Sequence, residues 1–213
     1  MTSPNFFTRV LEWQNHLRIL WLAQRVKRNE TDSPNQSPVI FFNASARISG
    51  LSQNAAFGLL VSWGLRLGGV PVHHFICNRG MVRCVLGTQR SDLAKPPPCS
   101  ACIRQSRRLY QGADADWFAY QPDEELASEL ANLDIDSLSR YEYTGIKGSL
   151  ITPGLSLPLG QLVLPSARWA LRRHTLRDDE TTRQLMRDYM LSAYCIAQEF
   201  SALLDRVKPA AVV

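Results

Sequence analysis

No uninterrupted apolar stretch in this chain approaches the roughly 20 residues a helix needs to cross a bilayer. The N-terminus also lacks the cationic start, apolar run and small-residue cleavage site of a secretory signal. The expected location is therefore the cytoplasm, where thiols stay reduced. Internal repeats and low-complexity tracts are absent, which leaves an ordinary globular chain. Neither G-x-G-x-x-G nor G-x-x-x-x-G-K-[ST] occurs, which disfavours a dinucleotide or P-loop site. No Cys/His/Asp constellation stands out, so no catalytic residue can be assigned. With 213 residues, 45% of them hydrophobic, the chain can bury a full core without disulfide staples.

What the chain does have is an uneven distribution of cysteine and arginine. The formal charge is +5, with the basic excess gathered at residues 18–28, 79–108 and 168–177. Such patches favour anions without saying which. Residues 1–30 read as an amphipathic helix, with Ser3 as N-cap and Pro4 in the first turn. Between Ser3 and Arg28, Phe6, Val10, Trp13, Leu17 and Leu20 recur at helical spacing, flanked by Arg9, Arg18, Arg25, Lys27 and Arg28 against a single Glu12. Such a helix either lies on an anionic membrane surface, with Trp13 and Trp21 near the headgroups, or docks on its own domain or a partner.

The polar, proline-punctuated segment 31–38 reads as a linker, and the fold begins at residue 39. Val39 to Phe42 forms a β-rich run, residues 53–67 a helix ending at Gly68-Gly69, and Pro71 to Ile76 a second strand. This βαβ unit joins parallel strands, so the expected class is α/β: a Rossmann-like parallel sheet with helices on both faces, preceded by the amphipathic helix. A helix is expected from Asp123 to about Leu138, a short one capped by Ser166, and a long one from Asp178 to about Val207, stopped by Pro209. Ala210 to Val213 look like the start of a strand, so the domain 39–213 is expected to be incomplete at its C-terminus.

Four of the five cysteines, Cys77, Cys84, Cys99 and Cys102, lie within a stretch of 26 residues rich in arginine and lysine. Their spacing is C-x6-C-x14-C-x2-C. The second pair suits a metal knuckle, whereas the first is wider than in common zinc fingers. A structural zinc ion is the leading reading; an iron–sulfur cluster, or thiols without metal or a disulfide pair on a Cys-rich loop at 77–102, are the alternatives. His73 and His74 sit at strand spacing and point to opposite faces, so at most one of them can join a ligand site. The loop after the first strand places Arg47 where an open α/β sheet binds anions or sugars. Arg168, Arg172, Arg173 and His174 form either a phosphate-binding face or a solvated helix surface.

The succession of FFNAS, LRLGG, PVHHFICNRGMVRCVLG, KPPPCSAC, LGQLVLPSARWALRRH and ALLDRVKPAAVV resembles the N-terminal half of bacterial GT-B-type glycosyltransferases of capsule or surface polysaccharide synthesis. The resemblance spans residues 39–213. It implies an acceptor-side domain that meets glycan or lipid-linked acceptors, the nucleotide-sugar being held by a second domain. It further implies a cleft lined by Asn43, Ser45, Arg47, Ser49 and Gly50, and chemistry that needs no metal, so that any ion held by the cysteines would be structural. The competing reading is a non-enzymatic, zinc-stabilised module for an anionic partner. Of its two versions, a membrane surface fits the first helix, while nucleic acid lacks any accompanying recognition signature.

Overall fold

The structure, a computed structural model, describes residues 6–31, 36–43, 52–144 and 156–213. Seven helices and four strands are described: α1 (Phe6–Asn29), β1 (Val39–Asn43), α2 (Gln53–Leu67), β2 (Val72–Cys77), α3 (Cys99–Leu109), β3 (Ala115–Phe118), α4 (Glu124–Leu130), α5 (Ile135–Arg140), α6 (Leu159–Leu171), α7 (Glu180–Val207) and β4 (Ala211–Val212). A 3-10 turn at Val85–Gly87 lies between β2 and α3.

The strands form one parallel sheet in the order β3-β2-β1-β4, so the fold is the Rossmann-like α/β class read from the sequence. Val39 pairs with Val72 and Asn43 with Ile76, while Val39 and Ile40 pair with Ala211 and Val212 on the other side. Parallel strands buried on both faces need apolar side chains on both, not alternation. The buried Ile40, Phe41, Phe75 and Ile76 supply them. Two polar residues, His73 and His74, break that pattern, and both are buried.

The chain divides into two compact units. Unit 1 comprises residues 1–76, 100–117 and 207–213 and contains most of the sheet. Its α2 opens at Ser52, whose hydroxyl accepts the Ala55 N–H. Leu59 and Trp63 of α2, Ile76 of β2, Leu109 of α3, Tyr110 and Val26 of α1 form one apolar cluster. The C-terminal half of α1 thus docks through Ile19, Ala23 and Val26, held further by Arg66 of α2, whose Nε donates to Glu30 at 2.7 Å. The first half differs from the stripe read in the sequence. Trp13 and Leu17 are exposed, as is Trp21.

Unit 2 comprises residues 77–99 and 118–206 and is helical. At its centre lies α7, where every residue from Leu185 to Met190 is buried, as in a helix enclosed on all sides. The single helix expected over 123–138 is two, because Asp123 caps α4 and Asp134 caps α5, each accepting a backbone N–H three residues on. The helix expected to begin at Ser166 begins at Leu159 and carries Pro165 inside it. Its first turn reaches α5 so closely that a Cβ on Gly160 would stand 2.1 Å from the Leu138 carbonyl oxygen. Burial of Leu159 and Val163 there outweighs the hydrogen bond that Pro165 forgoes. Among the described residues no helix is long and apolar enough to cross a membrane.

Candidate functional site

In an open parallel sheet, ligands bind beyond the carboxyl ends of the strands where the strand order reverses. Here β2 and β3 lie on one side of β1 and β4 on the other, so the reversal falls at β1 and the chain leaves β1 at Asn43. Of the five residues expected to line that crevice, Asn43 is described. Ser45, Arg47, Ser49 and Gly50 lie outside the described residues.

Asn43 is committed to an internal network. Its Nδ2 donates to the Phe41 carbonyl at 3.2 Å and stands 3.0 Å from His74 Nδ1, while its Oδ1 accepts the Tyr110 hydroxyl at 2.9 Å. The His74 ring packs against Tyr110, centroids 4.8 Å apart, and against Phe41 at 5.6 Å. The amide donor facing Nδ1 makes that nitrogen the acceptor and leaves the ring proton on Nε2. Burial drives the His74 pKa down to about 4, assisted by the charge of Arg66 and the neighbouring His73 and opposed by Asp114. Burial also pushes the Tyr110 hydroxyl up to about 12, so it remains a donor at neutral pH. The network is uncharged, and the hydrogen bonds of Asn43 to Phe41, His74 and Tyr110 each have one direction. It braces the root of the β1–α2 loop rather than offering Asn43 itself as a ligand contact.

His73 points the other way, as strand alternation requires. Its Nδ1 lies 2.8 Å from Asp114 Oδ2 and its Nε2 3.1 Å from Asp116 Oδ2. Both nitrogens are thereby occupied, so His73 is not available to the cysteines.

The cysteines show a local pattern of their own. Cys77 Sγ accepts the Gly80 N–H at 3.3 Å, and Cys84 Sγ accepts the Gly87 N–H at 3.2 Å. The same C-x-x-G turn is thus built twice, and N–H groups aimed at sulfur suit a thiolate ligand as well as a thiol. Cys99 and Cys102 occupy the first turn of α3 at positions i and i+3, in a helix where the sequence suggested a loop. Among the described residues, no group of three or more His, Cys, Asp and Glu side chains is placed to hold a metal ion. Cys195 is buried in unit 2, where burial raises its thiol pKa above the ordinary value and the Gln121 N–H partly offsets that rise. It is packed rather than reactive.

The segment after Cys77 is fastened to α7. Arg83 Nε donates to Asp188 Oδ2 at 2.9 Å, the Arg83 N–H donates to Ser192 Oγ, and Thr88 Oγ1 lies 2.9 Å from the Tyr189 hydroxyl. None of these long-range partners carried a sequence signal, because each spans about a hundred residues. Tyr110 was hidden for the same reason. Comparison with protein-family models, curated proteins and solved structures finds no match for this chain.

Proposed function

We propose that the chain is the acceptor-side half of a glycosyltransferase of polysaccharide or glycoconjugate synthesis, working with a nucleotide-sugar-binding domain. The observation that carries this reading is the reversal of strand order at β1, which in open α/β sheets marks the ligand crevice. In this reading Arg47, Ser45, Ser49 and Gly50 meet the acceptor glycan. Asn43, His74 and Tyr110 hold the base of their loop in one conformation, so that less ordering is needed when ligand arrives. A structural zinc ion, which requires Cys77, Cys84, Cys99 and Cys102 to draw closer than they stand here, would tie down the segment after β2 and take no part in transfer.

Binding of the purified chain to an array of bacterial oligosaccharides, followed by calorimetry on those retained, tests the reading. The expected result is saccharide binding that Arg47→Ala weakens at least about tenfold, equivalent to about 1.4 kcal/mol, and no turnover of nucleotide-sugars by this chain alone. An array without a single retained saccharide, or nucleotide-sugar turnover by the chain itself, overturns it.

A second reading has its own observation. On α1 the exposed Trp13, Leu17 and Trp21 stand beside the exposed Arg18 and Arg25, and the Arg25 guanidinium lies 4.7 Å from the Trp21 ring centre. Aromatic and cationic side chains so combined fit an anionic membrane surface. This contact is compatible with lipid-linked acceptors.

A further inference from the structure

Unit 2 contains a concavity of about 590 Å³ lined by Thr88, Arg90, Ser91, Trp169, Ala170 and Arg172. Its volume falls in the range of small-molecule sites, and its lining combines three kinds of recognition. Two arginines line it, and no carboxylate-bearing residue is among the lining residues. Trp169 is 64% exposed, a large apolar surface presented to solvent without a covering neighbour. Two hydroxyls complete it. The Ser91 Oγ accepts from Gln89 at 3.0 Å and so keeps its own proton to donate.

Both walls are rigidly supported. The Thr88 side is held by the Cys84 carbonyl and Tyr189, and the turn before it is locked where a Cβ on Gly87 would come within 2.7 Å of Pro97. The other wall is the C-terminal end of α6. Arg172 closes that helix in the left-handed conformation, φ 51° and ψ 46°, and its N–H bonds back to Trp169. Glycine is the usual residue at such a position, because a Cβ there is strained. An arginine there gives up local stability, and its side chain lines the same concavity as Trp169.

We infer that unit 2 carries a binding site for an anionic saccharide, a sugar bearing a phosphate or a carboxylate, between residues 88–91 and the end of α6. The indole face packs on the apolar face of the sugar ring. Arg90 and Arg172 take the anion through paired N–H donors, Ser91 donates to a ring hydroxyl, and Thr88, whose proton goes to the Cys84 carbonyl, only accepts from one. The site lies wholly within unit 2 and stands without the acceptor reading of the β1 loop.

Calorimetry on the full chain with glucose 6-phosphate, glucuronate, glucose, inorganic phosphate and uridine monophosphate tests it. One or both anionic sugars are expected to bind, the phosphate and carboxylate arms separating the two sources, with glucose and inorganic phosphate each at least about tenfold weaker. Arg172→Gly is the decisive variant, because it removes the guanidinium while relieving the left-handed strain. It is expected to lose at least about tenfold in affinity while its unfolding temperature holds or rises. Trp169→Ala, at an exposed position, gives the same loss. Failure of both anionic sugars to bind overturns the inference. So does equal binding of glucose or inorganic phosphate, tighter binding of uridine monophosphate, or an affinity indifferent to Arg172→Gly and Trp169→Ala.

Discussion

Lowering the pH from about 7.5 to about 4 is expected to strip stability from unit 1 through His74. In the folded chain its pKa is depressed from 6.5 to about 4, so between those values the unfolded chain binds the proton and the folded chain does not. The contribution is fully present above about pH 6.5 and declines as pH falls toward 4. At about 1.4 kcal/mol per pH unit this amounts to about 3 kcal/mol, a large share of the 5–15 kcal/mol typical of a domain. The structural source is plain: His74 is 1% exposed, and its Nδ1 accepts from the Asn43 amide, so protonation would set N–H against N–H in the core. Urea unfolding of the wild type and of His74→Gln, at half-unit steps across that range, isolates the effect. Glutamine offers Asn43 an acceptor without titrating. The difference between the two should be flat above about pH 6.5 and shrink by about 3 kcal/mol toward pH 4. Two curves that stay parallel throughout would refute the argument, and so would the His74 imidazole titrating near 6.5 by NMR.

Gly160→Ala should destabilise unit 2 by about 3 kcal/mol or more, because the new Cβ meets backbone atoms of Leu138 and Ser139 that cannot swing aside; thermal melts should fall by roughly 6–12 °C. Asp188→Ala leaves Arg83 without its carboxylate at a site where the arginine side chain is 13% exposed. A loss of about 3 kcal/mol is expected, together with faster hydrogen exchange at Gly87 and Thr88, and an unchanged urea midpoint would remove this pair from the account of how the segment is held. Elemental analysis should find stoichiometric zinc that Cys99→Ser and Cys102→Ser each release along with a lowered melting temperature; protein purified without stoichiometric zinc or iron rejects the metal reading. Cosedimentation with anionic phosphatidylglycerol vesicles should fall as salt rises and in Trp13→Ala/Trp21→Ala, whereas equal binding to neutral phosphatidylcholine would contradict the α1 assignment.

Much of unit 1 was legible because its signals are local. Val39 to Phe42 and Pro71 to Ile76 are β-rich runs, and Ser52 and Gly68 bracket α2 at the two ends read from the sequence. β3 was not legible, since Ala115-Asp116-Trp117-Phe118 has neither the length nor the apolar run of a buried strand; pairing with β2 makes it one. The start of α6 was misplaced because Ser166 and Pro165 look like a helix N-terminus, whereas close packing on α5 carries the helix back to Leu159. The split of α4 from α5 rests on Asp134, a cap hidden inside an acidic stretch that also reads as continuous helix.

The sequence by itself determined the fold class, the basic and cysteine-rich character of residues 77–108 and the polar loop that follows β1, because these depend on composition and on neighbours a few residues apart. Tertiary structure decided what each residue does there. It turned Asn43 from a candidate ligand contact into the centre of a buried network with His74 and Tyr110. It bound Arg83 and Thr88 to a helix about a hundred residues away, and it brought Arg90 and Trp169 to one concavity. Such meetings depend on which faces the helices bury, and packing of the whole chain decides that rather than any short segment.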